Sequence, residues 1–311
     1  MNSDIRKLYD ISPRAWEHPS DRAALSAIEG LPGINAVLQK VLGLTSEKAI
    51  RLLFLASAIK VGGNQFPRVS LALRRVADTL DCEELPEVFV WQNPFLNAGA
   101  FCVKRPFIVL HSSFLSVTDD NELAAVLGHE LSHILSGHVL YKTVLWILTN
   151  VGFSVFPISR TLLLPIYYAL MEWDRKSELS ADRAGLLALQ REESSYSLLM
   201  KLAGGSRTDE MSMDEFMLQA AEYEQNKDIL DGVFRILNTL SQSHPFAAVR
   251  LKELKQWAES PAYVSILEGN YPRRGEEQEE WSEDFERAKA HYEERFRSSD
   301  LLKDGIGGIA G

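Results

Sequence analysis

One short motif, at residues 128–133, restricts the chemistry of this chain more than any other stretch. The motif reads GHELSH and places His129 and His133 four residues apart, with Glu130 directly after the first histidine. On a helix, side chains at this spacing share a face, with Cβ atoms about 5–6 Å apart. Two neutral imidazoles so placed can bind one zinc ion, and the carboxylate can reach a water molecule beside it. We therefore predict that His129 and His133 are metal ligands and that Glu130 is the general base.

The residues around the motif predict that it lies on a helix. Asp119 is a suitable N-cap, and Glu122 follows three residues later, as in a capping box. Apolar residues then recur at helical spacing and predict one buried face: Leu123, Val126, Leu127, Leu131, Ile134 and Leu135. The alternative is a buried helix whose two histidines have only a structural role.

A catalytic zinc site needs a third protein ligand, and two segments offer one. His138 lies nine residues after His129, which at about 100° per residue is another side of a continuing helix. We therefore interpret His138 as a polar residue near a helix C-terminus, where the macrodipole favours it. Glu178 is the better candidate, because Asp182 follows one turn later and can accept the free ring N–H of a zinc-binding histidine. The alternative for these two acidic residues is an ordinary solvent-facing helix.

Together these motifs carry a family resemblance. An HExxH sequence followed by an ExxxD sequence resembles the gluzincin clan of metallopeptidases. Residues 97–98, the apolar run 107–110 and the GHELSH motif resemble more closely the HtpX-like family, which includes Oma-type and CAAX prenyl proteases. The pair His244-Pro245, with Arg250 further on, is similar to the C-terminal HPxxxxR element of that family. The resemblance covers residues 85–255 and leaves both ends of the chain outside it.

The resemblance implies a predominantly helical α+β fold of the zincin type, with a small sheet whose edge strand flanks the metal cleft. It implies one zinc ion per chain, held by His129, His133 and Glu178. In zincins the substrate backbone adds to that edge strand through main-chain hydrogen bonds. Asn97, Ala98 and Gly99 would then bind substrate, whereas a plain hairpin strand is the alternative.

Two residues near the C-terminal end of the resemblance are candidates for supporting roles. His244 precedes a proline that is tolerated in the first turn of a helix. There it would donate a hydrogen bond to the oxyanion that forms during peptide hydrolysis, or would simply cap the helix. Arg250 would orient the site through a carboxylate.

The charge, the cysteines and the first residues of the chain limit its candidate partners and its location. The 311 residues carry a formal net charge of −10, which argues against nucleic acid as a partner. The two cysteines, Cys82 and Cys102, form no CxxC pair, which is typical of a reducing compartment. Residues 1–6 contain no apolar stretch and predict no signal peptide, so we expect a cytoplasmic protein, peripheral to a membrane at most.

Residues 143–171 contain two apolar runs separated by prolines and one arginine. Each run is shorter than the ~20 apolar residues that a membrane-spanning helix needs. We interpret the interval as a buried or interfacial helical hairpin. Contact with a membrane surface, dimerisation through this interval and a true membrane span are the alternatives.

We predict three parts along the chain. Residues 1–82 form a helical region packed on the catalytic domain, and residues 83–260 form a zinc metallopeptidase domain. Residues 261–311 form an acidic helical extension with a mobile Gly-rich tail. The predicted function is zinc-dependent endopeptidase activity on peptides or unfolded proteins, in protein quality control. A latent or inactive zinc-binding adaptor is one alternative, and a metal-free helical interaction protein is the other.

Overall fold

The computed structural model describes residues 5–44, 46–225, 246–276 and 283–297. Helices dominate and short strands form one small sheet, which confirms the predicted α+β class. The helices before the sheet is complete are α1 (Pro19–Glu29), α2 (Ile34–Leu44), α3 (Glu47–Ser57) and α4 (Pro67–Thr79). The later helices are α5 (Ser112–Val117), α6 (Asp120–Leu135), α7 (Val139–Val151), α8 (Arg160–Leu189), α9 (Glu192–Gly204), α10 (Met213–Gln225), α11 (Ala247–Ala258), α12 (Pro261–Glu268) and α13 (Glu283–Arg297).

The sheet has two central strands and an edge strand next to the GHELSH helix. Its strands are β1 (Ile59–Lys60), β2 (Glu87–Trp91), β3 (Ala98–Phe101) and β4 (Phe107–His111), in the spatial order β1-β2-β4-β3. β2 and β4 are parallel, whereas β1 and β3 pair antiparallel to their neighbours. β4 is buried along residues 107–110 because both of its faces are covered. β3 forms the edge and packs against α6, as the predicted fold requires.

Local chemistry fixes the start of α6. The Asp119 carboxylate accepts the backbone N–H groups of Asn121 and Glu122, each at 2.8 Å. The Glu122 carboxylate in turn accepts the N–H of Asp119 at 2.8 Å. This reciprocal pair is the predicted capping box, so the register of the helix is set ten residues before His129.

Helices α6 and α8 meet backbone to backbone. A Cβ added to Gly128 would lie 2.7 Å from the Cβ of Ala188, and one added to Gly185 would lie 2.9 Å from the carbonyl oxygen of Ala125. Side chains at either glycine would therefore separate the helices. The close approach brings the side chains that follow Gly128 on α6 within reach of those that precede Gly185 on α8.

The apolar interval 143–171 forms most of α7 and the first turns of α8. Its apolar side chains are largely inside the protein, and Val144, Ile147 and Leu163 are fully buried. Val151 and Val155 at the hairpin tip are exposed. Among the described residues, no helix combines the length and the apolar character that crossing a membrane demands. Burial in a core accounts for the apolar runs, while membrane-surface contact and dimerisation stay predictions.

Helix α1 lies between α8 and α13. Helix α1 contacts both α8 and α13, and α13 buries Phe285, Tyr292 and Phe296 in the same apolar cluster as α1. The Gly-rich tail, residues 305–311, lies outside the described residues. The domain boundaries at residues 82 and 260 stay predictions.

The close helix contact makes Gly128 sensitive to the smallest substitution. We expect Gly128→Ala to lower the free energy of unfolding by about 1–3 kcal/mol, because overpacking forces the helices apart. Gly43→Ala on α2 is the control, since an added Cβ there meets nothing within 4 Å. Alanine favours a helix over glycine, so this control is expected to gain up to about 1 kcal/mol. Urea unfolding of the three proteins checks both signs, and equal effects would contradict the packing.

Candidate metal centre

The predicted ligand set converges on one point between α6 and α8. The candidate donor atoms of His129, His133 and Glu178 all lie within 4.8 Å of one another. His129 Nε2 lies 3.3 Å from Glu178 Oε2, and His133 Nε2 lies 3.4 Å from Glu178 Oε1. Two ring nitrogens and one carboxylate thus face a common centre.

Two polar atoms at this centre are buried without a hydrogen-bond partner in the part of the chain that the structure describes. They are Nε2 of His133 and Oε2 of Glu130. Buried polar atoms nearly always have partners, so each such atom needs an explanation. A cation beside His133 Nε2 would use its lone pair, and two histidines with one glutamate are a donor set found in catalytic zinc sites. The residues present therefore fit a zinc ion.

The charges around the centre favour a cation. Burial alone would lower the pKa of His129, but Glu178 and Asp182 outweigh it and raise the pKa to about 9. The pKa of His133 instead lies well below its ordinary value, because of burial and the nearby Lys142 ammonium. His133 is therefore neutral, with a lone pair available, while the two carboxylates attract positive charge to the ring of His129.

Asp182 and Arg250 are in contact with the candidate ligands His129 and Glu178. Asp182 Oδ1 lies 3.1 Å from His129 Nδ1, so the carboxylate can accept the ring N–H and orient the histidine. Arg250 donates to both oxygens of Asp182, from Nε at 2.7 Å and from Nη2 at 2.6 Å. Arg250 Nη1 also lies 3.4 Å from Glu178 Oε2. Burial raises the pKa of Asp182, but Arg250 and His129 outweigh this effect, and the net pKa is below its ordinary value.

Lys142 is a site residue that the sequence analysis missed. Its ammonium donates to Asp174 Oδ1 at 2.6 Å and to Glu178 Oε1 at 2.9 Å, so it fixes one oxygen of the candidate ligand. The sequence signal is a single lysine at the start of the long apolar run of α7. A lysine rarely lies in a buried helix without an acidic partner.

The interpretation of His138 as a residue that points away from the site was wrong. Helix α6 ends at Leu135, and Gly137 turns the chain with a φ of +72°. His138 N–H donates to the carbonyl of His133 at 2.9 Å, and Gly137 N–H donates to that of Ile134 at 3.1 Å. This is a Schellman motif, which places the second residue after the cap against the third-last helical residue. His138 is consequently buried with its Nδ1 3.0 Å from Nδ1 of His133, and Gly137 was the available signal.

Glu130 lies beside the ligand cluster and is buried. Burial, the largest influence, raises the pKa of its carboxyl group to about 7. A carboxyl group with a pKa near neutrality can both accept and return a proton at physiological pH.

A cavity of about 710 Å³ runs along the edge strand to this cluster. Asn97, Ala98 and Gly99 line one part of it, and Glu130 and Glu178 line another. The structure thus brings the predicted substrate-binding segment to the predicted metal ligands. His244 lies outside the described residues, so its predicted role stays a prediction.

The buried His-His-Glu cluster is a donor set found in zinc metallopeptidases, and comparison with known proteins places the chain in this class. Residues 64–258 match the family model of peptidase family M48, so the chain belongs to this family. The chain is 32% identical over 263 residues to the chloroplastic plastoglobule-localized metallopeptidase 48 of Arabidopsis thaliana, covering 83% of this chain and 76% of the relative. Protease HtpX homologs from Tropheryma whipplei strains Twist and TW08/27 are 25% and 24% identical over 230 residues, or 65% of this chain and 76% of each relative. No solved structure matches the chain.

The buried charges at the centre make Arg250 important for stability. We expect Arg250→Met to lower the free energy of unfolding of the metal-free protein by about 3–5 kcal/mol at pH 7, because Asp182 and Glu178 lose a cation. Arg207→Met is the control, since the ion pairs of Arg207 with described residues are all exposed and it is expected to contribute at most about 1 kcal/mol.

The loss at Arg250 also has a pH dependence with a defined sign. The folded-state pKa of Asp182 is depressed, so its stabilising contribution is present above its unfolded pKa of about 3.9 and is lost as the pH falls through the folded value. Urea unfolding in the presence of a chelator is therefore expected to show a difference in the free energy of unfolding between native protein and Arg250→Met. This difference is expected to narrow below about pH 4. A difference in the free energy of unfolding of less than about 1 kcal/mol at pH 7 would contradict the importance of the buried Arg250–Asp182 pair.

Proposed function

We propose that this chain is a zinc-dependent endopeptidase. The observation that carries the proposal is the convergence of His129, His133 and Glu178 beside a buried, unpartnered Glu130 oxygen, at a cavity that follows a sheet edge. A bound zinc ion would lower the pKa of a water molecule and polarise the scissile carbonyl. His129, His133 and Glu178 would hold the ion.

The chain's own residues would manage the protons. Glu130 would accept a proton from the attacking water and deliver it to the leaving amine, since its carboxylate lies beside the candidate ligands at the cavity. Asp182 would keep the ring of His129 in place through their 3.1 Å contact. Arg250 would compensate the negative charge of Asp182, and Lys142 that of Glu178. His244 is proposed to stabilise the oxyanion.

The substrate backbone is proposed to add to β3. Asn97 pairs with His111, whose N–H donates to the Asn97 carbonyl at 3.0 Å. Main-chain groups alternate in direction along an antiparallel strand, so those of Ala98 and Ala100 point to the open side. The next outward group, the N–H of Cys102, donates to Thr143 Oγ1 at 2.9 Å, where α7 covers the edge. A peptide would therefore pair with the strand at Ala98 and Ala100.

The wider role is also a proposal. The relatives named as protease homologs and as a metallopeptidase support action on peptide or protein substrates. Action on unfolded proteins in quality control would fit a cavity that receives an extended backbone. The sequence predicts a cytoplasmic location, whereas the Arabidopsis relative is chloroplastic and plastoglobule-localized by its name.

Glu130→Gln is the most direct test of the proposed chemistry. We expect the native chain to contain about one zinc ion and to cleave casein, and the variant to keep its zinc but lose cleavage by at least about 100-fold. Glutamine has the size of glutamate but cannot accept a proton. Glu259→Gln is the control, because Glu259 is exposed and pairs only with Lys255 among the contacts described.

The same experiment separates the alternatives. Zinc in the native chain with casein binding but no cleavage would favour the zinc-binding adaptor. A native chain that is folded, contains no zinc and takes up none would contradict the metallopeptidase proposal and favour a metal-free interaction protein.

Substitutions at Ala98 test the proposed substrate strand. Ala98→Pro removes an N–H from the open side of an edge strand, where proline is tolerated. We expect kcat/KM to fall roughly 3–10-fold, which corresponds to one lost hydrogen bond. Ala98→Val keeps the N–H and controls for added bulk. Equal kcat/KM for the two variants would contradict backbone pairing at this position.

A further inference from the structure

We propose that Asp21 is a positioning residue for the metal centre, which acts through His138 to keep the proton of His133 on Nδ1. The proposal rests on the proposed zinc site. It assigns a role to helix α1, which lies before the residues that match the family model.

Three buried side chains form a continuous chain of contacts. His133 Nδ1 lies 3.0 Å from His138 Nδ1, and His138 Nε2 lies 3.2 Å from Asp21 Oδ2. The relative exposures of His133, His138 and Asp21 are 0%, 2% and 0%. Bulk water therefore does not reach these side chains, and their polar atoms have to find hydrogen-bond partners within the protein.

The acceptor at the end of this chain sets the direction of every proton. An ionised carboxylate can only accept, so His138 donates from Nε2 to Asp21. The two Nδ1 atoms lie 3.0 Å apart and share one proton, and zinc on Nε2 of His133 would place that proton on His133, so Nδ1 of His138 accepts the N–H of His133. The remaining nitrogen of His133, Nε2, is left with its lone pair towards Glu178, 3.4 Å away. This is the tautomer that a metal ligand needs.

Further donors hold the Asp21 carboxylate in place. Trp173 Nε1–H donates to Oδ1 at 2.8 Å, and Ser180 Oγ–H donates to Oδ2 at 2.5 Å. Ser180 Oγ itself accepts the backbone N–H of His18 at 2.8 Å. Hydrogen bonds thus join the start of α1 to α8, the helix that carries Glu178.

Asp21→Asn tests the direction of the protons with almost no change in shape. Trp173 Nε1–H can only donate, so it keeps the amide oxygen of the asparagine on its own side, and the Ser180 hydroxyl, which can also accept, then faces the amide NH₂. The amide NH₂ then faces His138 Nε2 and donates to it, which puts the His138 proton on Nδ1. His138 would donate to His133 Nδ1 and leave a proton on His133 Nε2, where the metal binds.

We expect this reversal to raise the dissociation constant for zinc about 10–100-fold, the usual effect of losing a partner of a metal-binding histidine. Competition with a chromophoric chelator measures the constant. Asp209→Asn is the control, because it makes the same chemical change at an exposed ion pair. In zinc-loaded native protein, ¹H–¹⁵N spectra of the histidine rings are expected to show His133 protonated at Nδ1.

A second pair of variants keeps the test decisive if Asp21→Asn does not fold. Glutamine at position 138 can accept from His133 through its oxygen and donate to Asp21 through its nitrogen, whereas leucine of similar size can do neither. His138→Gln is expected to bind zinc within about 3-fold of native, and His138→Leu about 10–100-fold more weakly. Thermal unfolding of the metal-free proteins reports any general loss of stability separately.

The outcomes distinguish this inference from the zinc site itself. Tight zinc binding by the native chain, with weaker binding by Asp21→Asn and His138→Leu only, supports the positioning role. Equal zinc affinity in native protein and folded Asp21→Asn would overturn it and leave the zinc site standing. Equal losses for His138→Gln and His138→Leu would likewise overturn it, since packing would then explain both. A native chain without zinc affinity would overturn the site and the inference together.

Discussion

The whole metal centre depends on the contact between α6 and α8 at Gly128 and Gly185. With only hydrogen atoms at these positions, the two helix backbones touch. His129, one residue after Gly128, and Asp182, three residues before Gly185, then face each other at hydrogen-bond distance, 3.1 Å apart. A Cβ at Gly128 or Gly185 would lie 2.7 or 2.9 Å from an atom of the other helix, closer than van der Waals contact allows, so a ligand helix would have to shift.

The second constraint is electrostatic. Glu178, Asp182 and Asp174 are buried together, and such a group of carboxylates would be costly without cations. Arg250 and Lys142 supply two positive charges from α11 and α7 to carboxylates that all lie on α8, so three helices have to be in place for these charges to meet. The remaining negative potential acts on His129, whose pKa rises to about 9. The electrostatic potential therefore favours a positive charge at the point where two histidine rings and a carboxylate meet.

The sequence predicted those parts of the site whose residues are close together along one helix. The capping box of Asp119 and Glu122 set the helix, and spacing alone placed His129 beside His133 and Glu178 beside Asp182. His138 was misread because a helical angle was extended past Gly137, where the helix ends. Asp21 and Lys142 could not be assigned, since their partners lie on helices far away in the chain and no local pattern links them. The edge strand required the family resemblance, because a short apolar run does not reveal which side of it is open.

The measurement that tests the account most directly is zinc K-edge X-ray absorption on the purified chain loaded with one equivalent of zinc. The account predicts two imidazole nitrogens and one carboxylate oxygen around the ion, at the distances of about 2.0–2.2 Å usual for such ligands. In Glu178→Gln, one imidazole pair should remain while the carboxylate contribution is lost. Sulfur ligands, a single imidazole, or an oxygen-only shell in the native chain would contradict the His129-His133-Glu178 centre.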